Sequence, residues 1–137
     1  MSLTPEDHEE IRQLLARYNF AIDLGDVEGW LACFTPDGTF ECLGLPDGSP
    51  FGGKHVGADG LRAYCTTNVA INKSRSRHGN FNLVVEGDGD EATMRCYMDV
   101  YRVGQRAGAT GIYRDTLRRT PTGWRFVTRQ VTVDASS

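Results

Sequence analysis

The side chains of this sequence best suited to proton transfer near neutral pH are its three histidines, His8, His55 and His78. His8 stands among acids in what reads as the first turn of a helix, a surface position. His55 lies in a Gly- and Pro-rich loop whose rim it could line. His78 opens a strand. A neutral imidazole is a good base near pH 7, and a carboxylate on its second nitrogen fixes the tautomer and stabilises the cation that forms. Asp23 is the carboxylate placed for that task. It ends an apolar helix in which Tyr18, Phe20 and Ile22 look like the wall of an apolar space. Two readings are open: a helix end facing water, or an inward acid that needs a partner. Alternation leaves His78 equally open, because His78, Asn80, Asn82 and Val84 share one strand face and Gly79, Phe81, Leu83 and Val85 the other. With Phe81 packed inward His78 is outside; a curled sheet or a bulge reverses this.

Three further groups border this pair of candidates. Arg129 lies in a row with Val127, Val131 and Val133, where an arginine either snorkels to an edge or pairs inside with an anion. Tyr113 and Asp115 share a face of the preceding strand. Met94, Cys96, Met98 and Val100 share a face of a longer one, which suits a pocket floor and ordinary core packing alike.

The elements that must hold these residues follow from local signals. Thr4-Pro5-Glu6-Asp7 starts a helix, with Thr4 as cap, Pro5 in the first turn and acids at the positive end of the dipole. Ile11, Leu14, Leu15, Tyr18 and Ile22 recur at helical spacing, and Gly25 supplies a left-handed stop. Asp26 caps a second short helix with Val27, Trp30, Leu31 and Phe34 on its apolar face. Thr35-Pro36-Asp37-Gly38 reads as a turn and 39–43 as a short strand. The loop 43–57 is long enough to be a lid or pocket rim as well as a loose excursion. A third helix is expected near 58–69. From residue 76 the period becomes two, giving strands over 78–86, 92–103, 110–119 and 124–133. Their turn-like links are Gly87-Asp88-Gly89-Asp90, residues 104–108 and Thr120-Pro121-Thr122-Gly123. Helices first and hairpin-linked strands after is an α+β pattern with an antiparallel meander.

Composition narrows the classes. A chain of 137 residues suggests one domain, 1–137, and buries roughly 65–70% of its unfolded surface, enough for a core with a pocket. Hydrophobic residues at 39% and charged ones at 24% argue against disorder. A net charge of −3 gives no nucleic-acid footprint, and the cluster Lys73-Ser74-Arg75-Ser76-Arg77 is short enough to be a solvated loop, with an anionic ligand as the alternative. No apolar run approaches the roughly 20 residues of a membrane span. The polar start MSLTPEDHEE is unlike a secretory signal. Cys33, Cys42, Cys65 and Cys96 form no CxxC pair and read as small buried hydrophobes in a reducing cytoplasm; their spacing offers no metal site.

Taken together, "LLARYNFAIDLGDVEGWLACFTPDGTFE", "SRHGNFNLVVEGDGDEATMRCYMDVYR" and "GIYRDTLRRTPTGWRFVTRQV" resemble the SnoaL-like branch of the nuclear-transport-factor-2-like (NTF2-like) superfamily over nearly the whole chain. The resemblance implies a cone-shaped α+β fold: a curved, mostly antiparallel (mixed) sheet wrapped around a long N-terminal helix with two shorter helices. It is most similar to the group that contains scytalone dehydratase and γ-hexachlorocyclohexane dehydrochlorinase, where an Asp ending the first helix orients a proton-abstracting His. Asp23 and His78 fall on that pair, Arg129 on a supporting arginine, and Tyr18 on a polar helper. Met98 departs from the pattern, standing where a polar residue is expected. The implied activity is a cofactor-independent lyase or isomerase acting on a small apolar or polyketide- or steroid-like molecule. In it Asp23, His78 and Arg129 are catalytic, and Tyr18, Phe20, Met98 and Tyr113 bind substrate. No metal, cofactor, nucleic acid or membrane is expected, and a homodimer or homotrimer is. A non-catalytic binding or accessory-subunit domain of the same fold is the alternative.

Overall fold

The computed structural model describes residues 1–105 and 108–135. Three helices, α1 (Pro5–Leu24), α2 (Val27–Leu31) and α3 (Gly57–Asn72), pack on a six-stranded sheet. Its strands are β1 (Phe34–Leu43), β2 (Gly53–Val56), β3 (Ser76–Asp88), β4 (Glu91–Arg102), β5 (Gly108–Thr120) and β6 (Gly123–Val133). They lie side by side in the order β2-β1-β6-β5-β4-β3. Only β1 and β6 run parallel, so the sheet is mixed, and β3 to β6 form the expected meander.

The start of α1 is a capping box. Thr4 accepts from the Asp7 N–H and Asp7 accepts from the Thr4 N–H, satisfying two otherwise orphaned donors. Asp7 also accepts from Arg119 (2.8 Å) and from Trp124 Nε1 (3.2 Å), pinning the helix to the far end of the sheet. Gly25 ends α1 in the left-handed region (φ 87°), and the Asp26 carboxylate caps α2 at the Gly29 N–H. The core joins Ile11, Leu14 and Tyr18 of α1 to Trp30, Phe34, Leu117, Trp124 and Phe126.

Several expectations need correction. Residues 35–38 do not form a turn; they lie within β1, which is ten residues long. Five steps along β1 from Phe34 to Thr39 face only two along β6 from Phe126 to Thr128, so the turn signal becomes an irregularity inside a strand. The loop 43–57 holds a strand not foreseen, β2, antiparallel to β1. Gly44 beyond β1 has φ 90°, and a Cβ there would stand 2.3 Å from the Val133 carbonyl oxygen. Of the expected turn at 104–108, residues 106 and 107 lie outside the described residues.

Two bulges decide which side chains face the helices. On β3, three steps from Phe81 to Val84 oppose two on β4, with Asn82 in the left-handed region at φ 56°. Before the bulge His78 and Asn80 face inward; after it Leu83 and Val85 pack on the core, while Phe81 and Val84 are exposed. On β6 the break falls between Phe126 and Thr128, so Trp124 and Phe126, then Arg129 and Val131, are buried. Val127 therefore does not continue the Arg129 row.

Candidate active site

The last turn of α1 meets the start of β3 at Asp23, whose side chain is only 8% exposed. A carboxylate there is disfavoured by the negative end of the helix dipole and by burial. Two donors from one residue compensate it. The His78 main-chain N–H donates to one Asp23 oxygen at 2.8 Å, and His78 Nδ1 lies 2.5 Å from the other. The paired grip fixes both the strand and the ring. With Nδ1–H directed at the carboxylate, the lone pair of a neutral ring resides on Nε2. Among the described residues no protein group hydrogen-bonds Nε2.

His78 borders a cavity of about 310 Å³ between the sheet and α3. That is the small end of the roughly 300–1,000 Å³ found for ligand pockets. Its floor is Met98, Val100, Tyr113 and Val131; Phe40 and Cys42 form one side and Leu45 and Phe51 of the loop another. The polar wall comes from Tyr64, Asn68 and Asn72 of α3, with buried Ser76 and partly exposed Arg102 beside them. Among the described residues no Asp or Glu lines it. Burial pushes the Tyr113 phenol up to about 12 and the Tyr64 phenol well above its ordinary value, so at neutral pH both keep their O–H. The wider depression on the outer face of the sheet, about 550 Å³, lies on the side away from the helices and has no histidine.

The site brings together Asp23, His78, Met98 and Tyr113 from four elements. Phe20 stays out of this cavity; it is 69% exposed and borders an open groove between α1 and β3, which Asp23 and His78 also line. Phe20 follows Asn19 on the outer flank of α1, a face that the inward stripe of Leu15, Tyr18 and Ile22 excludes. Tyr18 is buried against Trp30, Phe34 and Phe126 and does not border the cavity. Arg129 is likewise sealed beneath the floor. Its guanidinium carbon stands 3.6 Å from the ring centre of Tyr113, 4.4 Å from Tyr18 and 4.6 Å from Phe126, and its Nε donates to Asp115 at 3.0 Å. Burial pushes the Asp115 carboxyl up, against the opposing pull of the guanidinium beside it. Arg129 thus reaches the cavity only through the Tyr113 ring, on which its charge acts against the effect of burial.

Sequence reasoning missed Tyr64, Asn68 and Asn72. Their spacing of four was a visible signal: all three fall on one stripe of α3. His55 stays out of the cavity; its ring packs 4.6 Å from that of Tyr64, and its Nε2 lies 3.1 Å from the Gly52 carbonyl. The four cysteines are buried and unpaired, and burial raises each thiol, to about 11 for Cys96, so none is an activated nucleophile. Among the described residues no three His, Cys, Asp or Glu side chains are grouped to hold a metal ion, and no helix is long and apolar enough to cross a membrane.

Solved structures place this arrangement among relatives. A protein of unknown function with a cystatin-like fold from Nostoc punctiforme is 31% identical, with a TM-score of 0.87 over 99% of this chain and 97% of that one. A protein from Novosphingobium aromaticivorans, provisionally described as an aromatic ring hydroxylase, is 33% identical, with a TM-score of 0.75 over 98% and 92%. An NTF2-like protein from Streptomyces avermitilis, provisionally described as a dehydratase, has a TM-score of 0.76 over 97% and 100% at 19% identity, a likeness of fold. No curated protein matches the sequence. The family model of the SnoaL-like domain matches residues 4–130, and with that span and these relatives the chain belongs to the SnoaL-like family of NTF2-like folds.

Proposed function

We propose that this protein is a cofactor-independent lyase or isomerase that removes a proton from a small, mostly apolar molecule held in the cavity beside His78. One observation carries the reading: an imidazole held at Nδ1 by a buried carboxylate borders a largely apolar cavity, with no partner on Nε2 among the described residues. In the step, Nε2 takes a proton from a carbon next to a carbonyl or leaving group. The C–H electron pair becomes the new double bond, and halide departs with its own pair. Where hydroxide leaves, the imidazolium returns the proton and water is released; in an isomerisation it returns the proton to another carbon. Asp23 stabilises the imidazolium. Tyr113, with Arg129 stacked behind it, and Tyr64 donate to negative charge developing on the substrate. Met98 shapes the floor.

A panel of two-ring β-hydroxy ketones tests this, with the conjugated product followed by absorbance. Turnover by the wild type that is lost in His78→Gln supports the reading; equal turnover by both proteins contradicts it. The rival reading, a binding or accessory subunit, is favoured by the exposed Phe81 and Tyr97 rings, which pair edge to face at 5.4 Å on the outer surface. It expects ligand binding without turnover. The same patch is our candidate contact for a homodimer or homotrimer.

A further inference from the structure

We infer that the cavity selects molecules carrying an anionic group, a carboxylate or an acidic phenol or enol, and that Arg102 reads it. This rests on the reading of the cavity as the substrate site and names the class of molecule that enters.

The inward row of β4 runs Met94, Cys96, Met98, Val100 and then Arg102. Arg102 is only partly buried, so its guanidinium is reachable from the cavity and from solvent. Among the described residues no carboxylate forms an ion pair with it, and no Asp or Glu lines the cavity. Amides hold it in place instead. Arg102 Nη1 donates to Asn72 Oδ1 at 2.8 Å, and Asn72 Nδ2 donates to Asn68 Oδ1 at 2.9 Å. Asn68 is 6% exposed and sits beside Tyr64 in the cavity wall. This relay orients the fork without neutralising it, leaving its remaining N–H groups for a planar anion.

The register sets the spacing. His78 pairs with Val100 and Ser76 with Arg102, so His78 and Arg102 are diagonal neighbours on one face, their backbone positions about 7–8 Å apart. An anion held at Arg102 therefore keeps the rest of the ligand in the cavity beside His78. The same charge opposes loss of the ligand to water, and its fixed position chooses which carbon faces the base.

The test compares naphthalene-2-carboxylate with its neutral isostere, naphthalene-2-carboxamide, by titration calorimetry on the wild type, Arg102→Gln and Arg102→Lys. The wild type should bind the carboxylate about 10- to 100-fold more tightly than the amide, the range of a charged hydrogen bond. Arg102→Gln should remove that preference and leave amide binding within about two-fold, which also reports an intact cavity. Arg102→Lys should keep part of it, with a steeper loss in salt. Equal affinity for both ligands in the wild type, or equal weakening of both in Arg102→Gln, overturns the inference while the cavity reading stands. Binding of neither overturns both.

Discussion

Asp23 is a residue in a poor place by local rules, at the negative end of a helix and out of water, and its two bonds from His78 are what make the place tenable. A conflict between local preference and observed position of this kind is where functional residues tend to be found. Arg129 offers the same lesson with a different outcome. Its charge is met by Asp115 and three rings, so in the proposed mechanism it acts only through Tyr113. We expect Asp115→Asn to cost about 3–5 kcal/mol in urea unfolding, because it leaves a buried guanidinium without its counter-charge. The double change Asp115→Leu with Arg129→Met should recover most of that loss. If the stacked charge helps catalysis, that refolded double variant remains slower than wild type; full activity would make the pair purely structural. Both carboxylates were visible in the sequence, Asp23 as a helix end and Asp115 beside Tyr113. Which one met His78 and which met Arg129 depended on contacts 55 and 14 residues apart, which no local pattern contains.

At the scale of elements, the bulge at Asn82 decides the site. Simple alternation along β3 cannot place His78 and Leu83 on one side, since they are five residues apart; an extra residue between them does. This is why the strand was legible and its inward face was not. Asn tolerates the left-handed backbone and a β-branched residue does not. Asn82→Gly should leave urea unfolding nearly unchanged, whereas Asn82→Val should cost about 1–3 kcal/mol. Equal effects would mean that the bulge relaxes freely. The capping box of α1 was read directly from Thr4-Pro5-Glu6-Asp7, but its tie to the sheet was not. The Arg119 guanidinium first, then the Thr4 N–H, hold the Asp7 carboxyl well below the usual carboxylate range. A lowered folded value contributes stability that is present above the ordinary value of about 3.9 and is lost as pH falls below it. Thermal midpoints of wild type and Asp7→Asn should therefore differ at pH 7 and converge towards pH 2. A constant gap would show that Asp7 acts by shape alone.

For the whole molecule, one sheet folded against α1 and α3 makes a cone, and its cavity lies where β3, β4 and the loop after β1 meet. The meander and long helix were plain from period and turn residues. The parallel β1–β6 pairing and the hidden β2 were not, because a parallel neighbour leaves no mark in the segment that joins it. Outside the cone Phe81 is 51% and Tyr97 44% exposed, and we expect this patch to be covered by another copy in solution. Sedimentation should give a dimer or trimer for the wild type and a monomer for Phe81→Asp with Tyr97→Asp; an unchanged assembly would move the contact elsewhere. The most direct test of the central claim, that His78 held by Asp23 takes protons from bound carbon acids, is hydrogen–deuterium exchange into 2-tetralone in D2O, followed by NMR. Exchange should depend on the protein, be abolished in His78→Gln and be slowed about 10²- to 10⁴-fold in Asp23→Asn with binding retained. Exchange no faster than buffer, or equally fast in His78→Gln, would contradict it.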